Sequence, residues 1–159
     1  MRDNIVLSSD RRIMLTVLSM SLGWVFIYLD RVLIFPLLPM IGEEFGLSDT
    51  YRGLIASSYF FFYVLMQIPT GVIGDKYGLS NVVFVMYLIV GLSLIGIGVL
   101  SYSYLLLMLF AALHGFGAGA YYPAAYGITI NVVPVDKRGV ASAIVTTGMA
   151  LGLAIGLSI

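Results

Sequence analysis

GLIASSYFFFYVLMQIPTGVIGDKYGLSNVVFVMYLIVGLSLIGIGVLS, from Gly53 to Ser101, decides the fold. Its two ends are apolar runs, near 53–73 and 82–101, each about the 20 residues an α-helix needs to cross ~30 Å of hydrocarbon. Between them the charged and turn-forming residues cluster, among them Asp75, Lys76 and Gly78. Neither run alternates polar with apolar residues, so neither reads as a strand of a membrane barrel. Backbone inside a bilayer must satisfy its own hydrogen bonds, and outside a closed barrel only a helix does so.

The same punctuation recurs on both sides, giving further spans near 13–40, 104–131 and 140–159. The expected class is an all-α membrane protein of about five transmembrane helices, with a tail at 1–12 and a bundle over 13–159. Of 159 residues, 60% are hydrophobic and 10% charged, and the mean hydropathy is +1.04. A soluble domain with a solvated surface cannot carry that composition. Net charge is zero and no basic run stands out, so nucleic acid is not an expected partner. Cysteine is absent, which removes thiol chemistry and disulfides and leaves the redox compartment open. The first apolar run is too long for a signal-peptide core and lacks a small-residue cleavage site, so it reads as a retained span.

Basic residues set the orientation. Arg2, Arg11, Arg12, Lys76, Lys137 and Arg138 fall on one side of the alternating connections, against Arg52 on the other. The N-terminus and the segments around Asp75 and Lys137 are therefore expected in the cytoplasm, and the acidic connection with Glu43, Glu44 and Asp49 outside. This implies a multi-pass protein of the cell (inner or plasma) membrane, with the lipid bilayer as its first partner. Five spans would leave Ile159 at the outer face. Glycines at helix-packing spacing, Gly115 with Gly119 and Gly148 with Gly152 and Gly156, predict close helix contact, with a hinge as the other reading.

Charge within a span marks the first candidate site. Asp30 and Arg31 lie in the outward half of the first span, after Tyr28 and before Pro36 and Pro39. A charged residue at a helix centre costs about 2.5–3.5 kcal/mol, so it normally faces a bundle interior or a wet cavity. Neighbours in sequence diverge by about 100° around a helix and satisfy each other poorly. Each then needs another partner: for Arg31 a carboxylate, which its planar donors suit, and for Asp30 a proton taken up as the site empties. A structural ion pair is the plainer alternative. Tyr59, Tyr63 and Gln67 share one face of the second span at four-residue spacing and line a cavity or, equally, form an aromatic belt with an interhelical hydrogen bond. In the fourth span His114, Ala118, Tyr121, Tyr122 and Ala125 form a similar stripe, loosened by Pro123. A lone histidine cannot build a multi-histidine metal site; it reads as a satisfied bundle residue or a proton relay. No nucleophile–base pair, phosphate loop or metal set appears, so neither enzyme activity nor a cofactor is expected.

The connection Gly71-Val-Ile-Gly-Asp75-Lys76-Tyr-Gly78 resembles the loop signature of the major facilitator superfamily, at the family's position between the second and third helices. Its basic tail is replaced by Leu79, Ser80 and Asn81. Further segments narrow the resemblance to the anion:cation symporter branch: YLDR from Tyr28, MQIPTG from Met66, GFGAGAYYPA from Gly115 and PVDKRG, with Arg138, from Pro134. The chain departs from the branch at Ala118 and Ala111, where an acid and an arginine are usual, and no proline follows Gly152 or Gly156 as in drug antiporters. The resemblance implies part of the N-terminal six-helix bundle of a twelve-helix fold, with the C-terminal half as a missing partner. It implies secondary transport of a small-molecule substrate, an organic anion with a coupling ion, H+ or Na+, by alternating access. The motif residues Gly71, Asp75, Lys76, Gly78 and Arg138 would latch one conformation against the opposite half. A transporter-derived sensor and a small structural membrane subunit are the alternatives.

Overall fold

A computed structural model describes residues 2–159. Among the described residues the structure is helical with no strand: α1 Arg2–Glu44, α2 Asp49–Tyr77, α3 Leu79–Ile95, α4 Tyr104–Gly119, α5 Tyr121–Val132 and α6 Arg138–Gly156. A π-helical turn, Gly96–Leu100, extends α3, and a 3-10 turn, Val135–Lys137, leads into α6. Five stretches are long and apolar enough to cross a membrane: 10–34, 49–77, 79–100, 104–132 and 135–156. The chain is thus the all-α membrane protein that its apolar runs predict. Met1, in the expected tail at 1–12, lies outside the described residues; helix α1 already begins at Arg2. Its far end passes through Pro36 and Pro39, beyond the stretch apolar enough to span.

The helix ends follow local chemistry. At the end of α1, Leu47 N–H donates to Gly42 O at 2.7 Å and Gly46 N–H to Glu43 O at 3.3 Å. Gly46 has a φ of 61°. This is the paired closure that satisfies the last carbonyls of a helix, and it needs a left-handed residue that glycine supplies. Helix α4 starts on Ser103, whose hydroxyl accepts from Leu106 N–H at 3.4 Å. Several hydroxyls within the spans return to carbonyls of their own helix, as Thr70 does to Met66 O at 2.6 Å and Ser93 to Val90 O at 2.7 Å, while Ser21 of α1 reaches Ile144 O of α6 at 3.0 Å. A polar group therefore enters the apolar layer already bonded.

The chain divides into two compact units, 1–33 with 126–159, and 34–125. In the first, α1 and α6 run parallel in tight contact. A Cβ added at Gly148 would overlap Ser21 O, and one at Gly152 would overlap Val25 O. At Gly156 it would come within 3.2 Å of Leu29 O. The four-residue step of the glycines matches the four-residue step of the carbonyls. In the second unit α2 and α4 do the same, with Gly115 against Tyr59 O and Gly119 against Tyr63 O. Gly117 faces α3 at Met86 O and Val90. Water does not drive helices together within a bilayer, so contact at this range, through dispersion, has to hold them. Ile55, Leu107 and Ala111 form a buried cluster in the second unit, ringed by Leu38, Ile41, Phe45, Leu47, Ile97 and Tyr104. The far face of α2 carries Phe61, Val64, Ile68 and Val72 exposed, Ile68 by 82%. That surface suits lipid and would be a liability in water.

Candidate functional site

Two groups of polar and aromatic side chains lie within the spans, one in each unit. The first is carried by α1. Trp24 is fully buried, and its ring meets Tyr28 edge-on at 5.6 Å. The Arg31 guanidinium lies 5.3 Å from the centre of the Tyr28 ring, within range of a cation–π attraction. Residues 24, 28 and 31 follow the i, i+4, i+7 rule, so one helix face presents an aromatic ledge that supports a cation. Gly152 fixes the ledge from behind, because its missing side chain leaves room for the Val25 backbone and the Tyr28 Cβ. Asp30 is half-buried, with one carboxylate oxygen enclosed. A guanidinium presents planar paired donors of the kind that suit a carboxylate, sulfonate or phosphate.

The second group is built on α2 and α4. Tyr59, Tyr63, Met66, Thr70 and Gly74 continue the buried face of α2 that begins at Ile55. Tyr59 stacks on Tyr63 at 6.0 Å and meets the His114 ring edge-on at 5.2 Å. His114 is 1% exposed. The contact has a backbone cause: Gly115, next to His114, seats the Tyr59 carbonyl and so brings the two rings to one level. Gln67 is half-buried beside this face. On α5, Tyr121 is buried and Tyr122 is 47% exposed, so the adjacent tyrosines of the fourth-span stripe part company. Tyr121 instead meets Tyr87 of α3 edge-on at 5.2 Å. Sequence reading passed over Trp24 and Tyr87. Trp24 had a signal, four residues before Tyr28 and the single tryptophan of the chain; Tyr87 had none, because its partner lies 34 residues away.

The connection between α2 and α3 is one residue long. Gly78 has φ 87° and ψ 130°, a conformation that costs other residues about 1–3 kcal/mol, and its N–H donates to Gly74 O at 2.8 Å. Asp75 and Lys76 are exposed, with the Lys76 ammonium 5.1 Å from the Tyr77 ring. Gly71 has open space where a Cβ would stand. In the other unit, Arg138 Nε donates to Val133 O at 3.1 Å, tying the start of α6 to the end of α5.

A family profile described as Major Facilitator Superfamily matches residues 20–159. A probable sulfoacetate transporter of Cupriavidus necator is 35% identical over 136 residues, 86% of this chain and 31% of that protein. The hexuronate transporter of Bacillus subtilis is 30% identical over 139 residues, 87% of this chain and 33% of that protein. A chloroplastic ascorbate transporter of Arabidopsis thaliana is 31% identical over 144 residues, 82% of this chain and 24% of that protein. Among solved structures, a bacterial homolog of the human lysosomal transporter Spinster, inward-facing and unoccupied, superposes with a TM-score of 0.82 at 26% identity, covering 88% of this chain and 29% of the other. The chain spans about a third or less of the length of these relatives.

Proposed function

The chain belongs to the Major Facilitator Superfamily, and we propose that it contributes the opening helices of a secondary transporter that moves a small organic anion with H+ or Na+ by alternating access. A second bundle of the whole protein would supply the other side of the pathway. The observation that carries this reading is Arg31, a cation within an apolar helix, held against the Tyr28 ring. The relatives named as transporters of sulfoacetate, hexuronate and ascorbate support the anionic class. Asp30 would carry the coupling proton, and the Tyr59, Tyr63 and His114 group would supply hydrogen bonds or a second proton station. Gln67 and Tyr122 would line the pathway, and Tyr121, packed on Tyr87, would support it from behind. The segment from Gly71 to Gly78, with Arg138, would latch the inner face, and the N-terminus would lie in the cytoplasm.

The test is uptake by the full-length protein in proteoliposomes, with a panel of carboxylates and sulfonates set against neutral sugars. Arg31→Lys keeps the charge and loses the donor fork, so affinity for the accepted anion should fall about tenfold or more. Selective uptake of a neutral solute, or an Arg31→Lys variant with unchanged affinity, would overturn the assignment.

A further inference from the structure

The glycines of α6 at 148, 152 and 156 all meet α1, and one of them meets the candidate site. A Cβ added at Gly148 would overlap Ser21 O, and one at Gly156 would press on Leu29 O and the Val32 side chain. At Gly152 it would overlap Val25 O and stand 2.9 Å from the Cβ of Tyr28. Tyr28 is therefore seated at the root of its ring on the backbone of another helix. The fully buried Trp24 meets the same ring edge-on at 5.6 Å. On that ring rests the half-buried Arg31, its guanidinium 5.3 Å from the centre.

The order of these contacts has an energetic consequence. Arginine is a long side chain with many rotamers, and freezing it when a ligand arrives weakens the complex. A guanidinium that already rests against a fixed ring has given up that freedom in the empty protein. The ordering cost, worth about three- to tenfold in affinity for one long side chain, is then absent from binding. What this asks of residue 28 is a ring held still; the hydroxyl has no part in it.

We propose that Tyr28 is a positioning residue for Arg31 and that Gly152 of α6 holds Tyr28 in place, so that the contact between α1 and α6 sets the affinity for the anion. The proposal rests on the anion-transport reading above and assigns Tyr28 an action through Arg31 in place of a contact with substrate. It also gives Gly152 a duty that Gly148 and Gly156 do not share.

The experiment measures uptake of radiolabelled sulfoacetate and glucuronate by the full-length protein in proteoliposomes, with a melting temperature for each variant. Tyr28→Leu should raise the half-saturating concentration of the carried anion about three- to tenfold and leave the saturated rate unchanged. Tyr28→Phe keeps the ring and should match wild type. Gly152→Ala and Gly148→Ala crowd the same pair of helices, the second at least as tightly, so packing alone predicts an equal or larger loss at 148. Positioning predicts the reverse: weaker binding in Gly152→Ala, and wild-type affinity in Gly148→Ala even where it melts lower. Should Tyr28→Leu fail to fold, the glycine pair decides. Wild-type affinity in Tyr28→Leu, an equal loss in Tyr28→Phe, or affinity that falls in step with melting temperature across the glycine variants overturns the proposal. If Arg31→Lys is weakened in the same assay, that result leaves the anion reading standing. If Arg31→Lys binds as wild type does, or neither anion is carried, both fall together.

Discussion

Replacing Gly115 by alanine tests what holds α2 to α4. The added Cβ would overlap the carbonyl oxygen and carbon of Tyr59 and touch its Cα, all of them backbone atoms. No rotamer change can relieve that, so the helices must separate. Overpacking costs about 1–3 kcal/mol, and an obstruction made of backbone belongs near the upper figure. Alanine recovers about 1 kcal/mol of helix propensity, which leaves a net loss of roughly 2 kcal/mol. For a cooperative unit of about 150–250 residues that lowers Tm by about 4–8 °C. Gly71→Ala is the control: it lies within α2, two turns from its end, with open space around the added atom, so it should be neutral or slightly stabilising. The double variant Gly115→Ala with Gly119→Ala should cost less than two single losses, because one separation of the helices relieves both clashes. The assay is thermal unfolding of the detergent-extracted full-length protein. Equal melting of Gly115→Ala and Gly71→Ala would refute the reasoning, since the close approach would then contribute nothing.

Three further outcomes are expected. Gly78→Ala, forced into a φ of 87°, should lose about 1–3 kcal/mol, whereas Gly139→Ala, in open space, should melt as wild type does; equal melting would mean the one-residue turn is not strained. With no native cysteine, single cysteines at 49 and 76 should react with impermeant reagent from outside and from the cytoplasm respectively, and the opposite pattern would invert the topology. Asp30→Asn should keep substrate exchange and lose accumulation against a gradient, and a variant that still concentrates substrate on a proton gradient would move the coupling step elsewhere, with His114 next.

What the sequence could and could not disclose follows from the range of each force. Spanning is a property of 20 consecutive residues, so five spans were legible from apolar runs alone. Helix length was not, because hydropathy reports where hydrocarbon ends and the backbone ladder need not stop there. Helix α1 runs through two prolines to a glycine closure at Gly46 that only hydrogen-bond geometry reveals. Gly115 and Gly119 were readable as a contact, since small residues four apart have few other uses in a bilayer, yet their partner was not. That partner is a pair of carbonyls on a helix more than fifty residues earlier. The same limit governs the candidate site. Tyr59 and Tyr63 were placed on one face by spacing, and spacing is identical for a packed face and a wet one. The structure buries both rings and sets Tyr59 against His114, so any part they take in transport must pass through a packed aromatic contact and not through a lined channel wall. Arg31 differs: its charge cannot be discharged into a core, and the Tyr28 ring steadies the guanidinium within the span. A group that must stay charged within a membrane span has a stronger claim to ligand contact than one that packing alone explains.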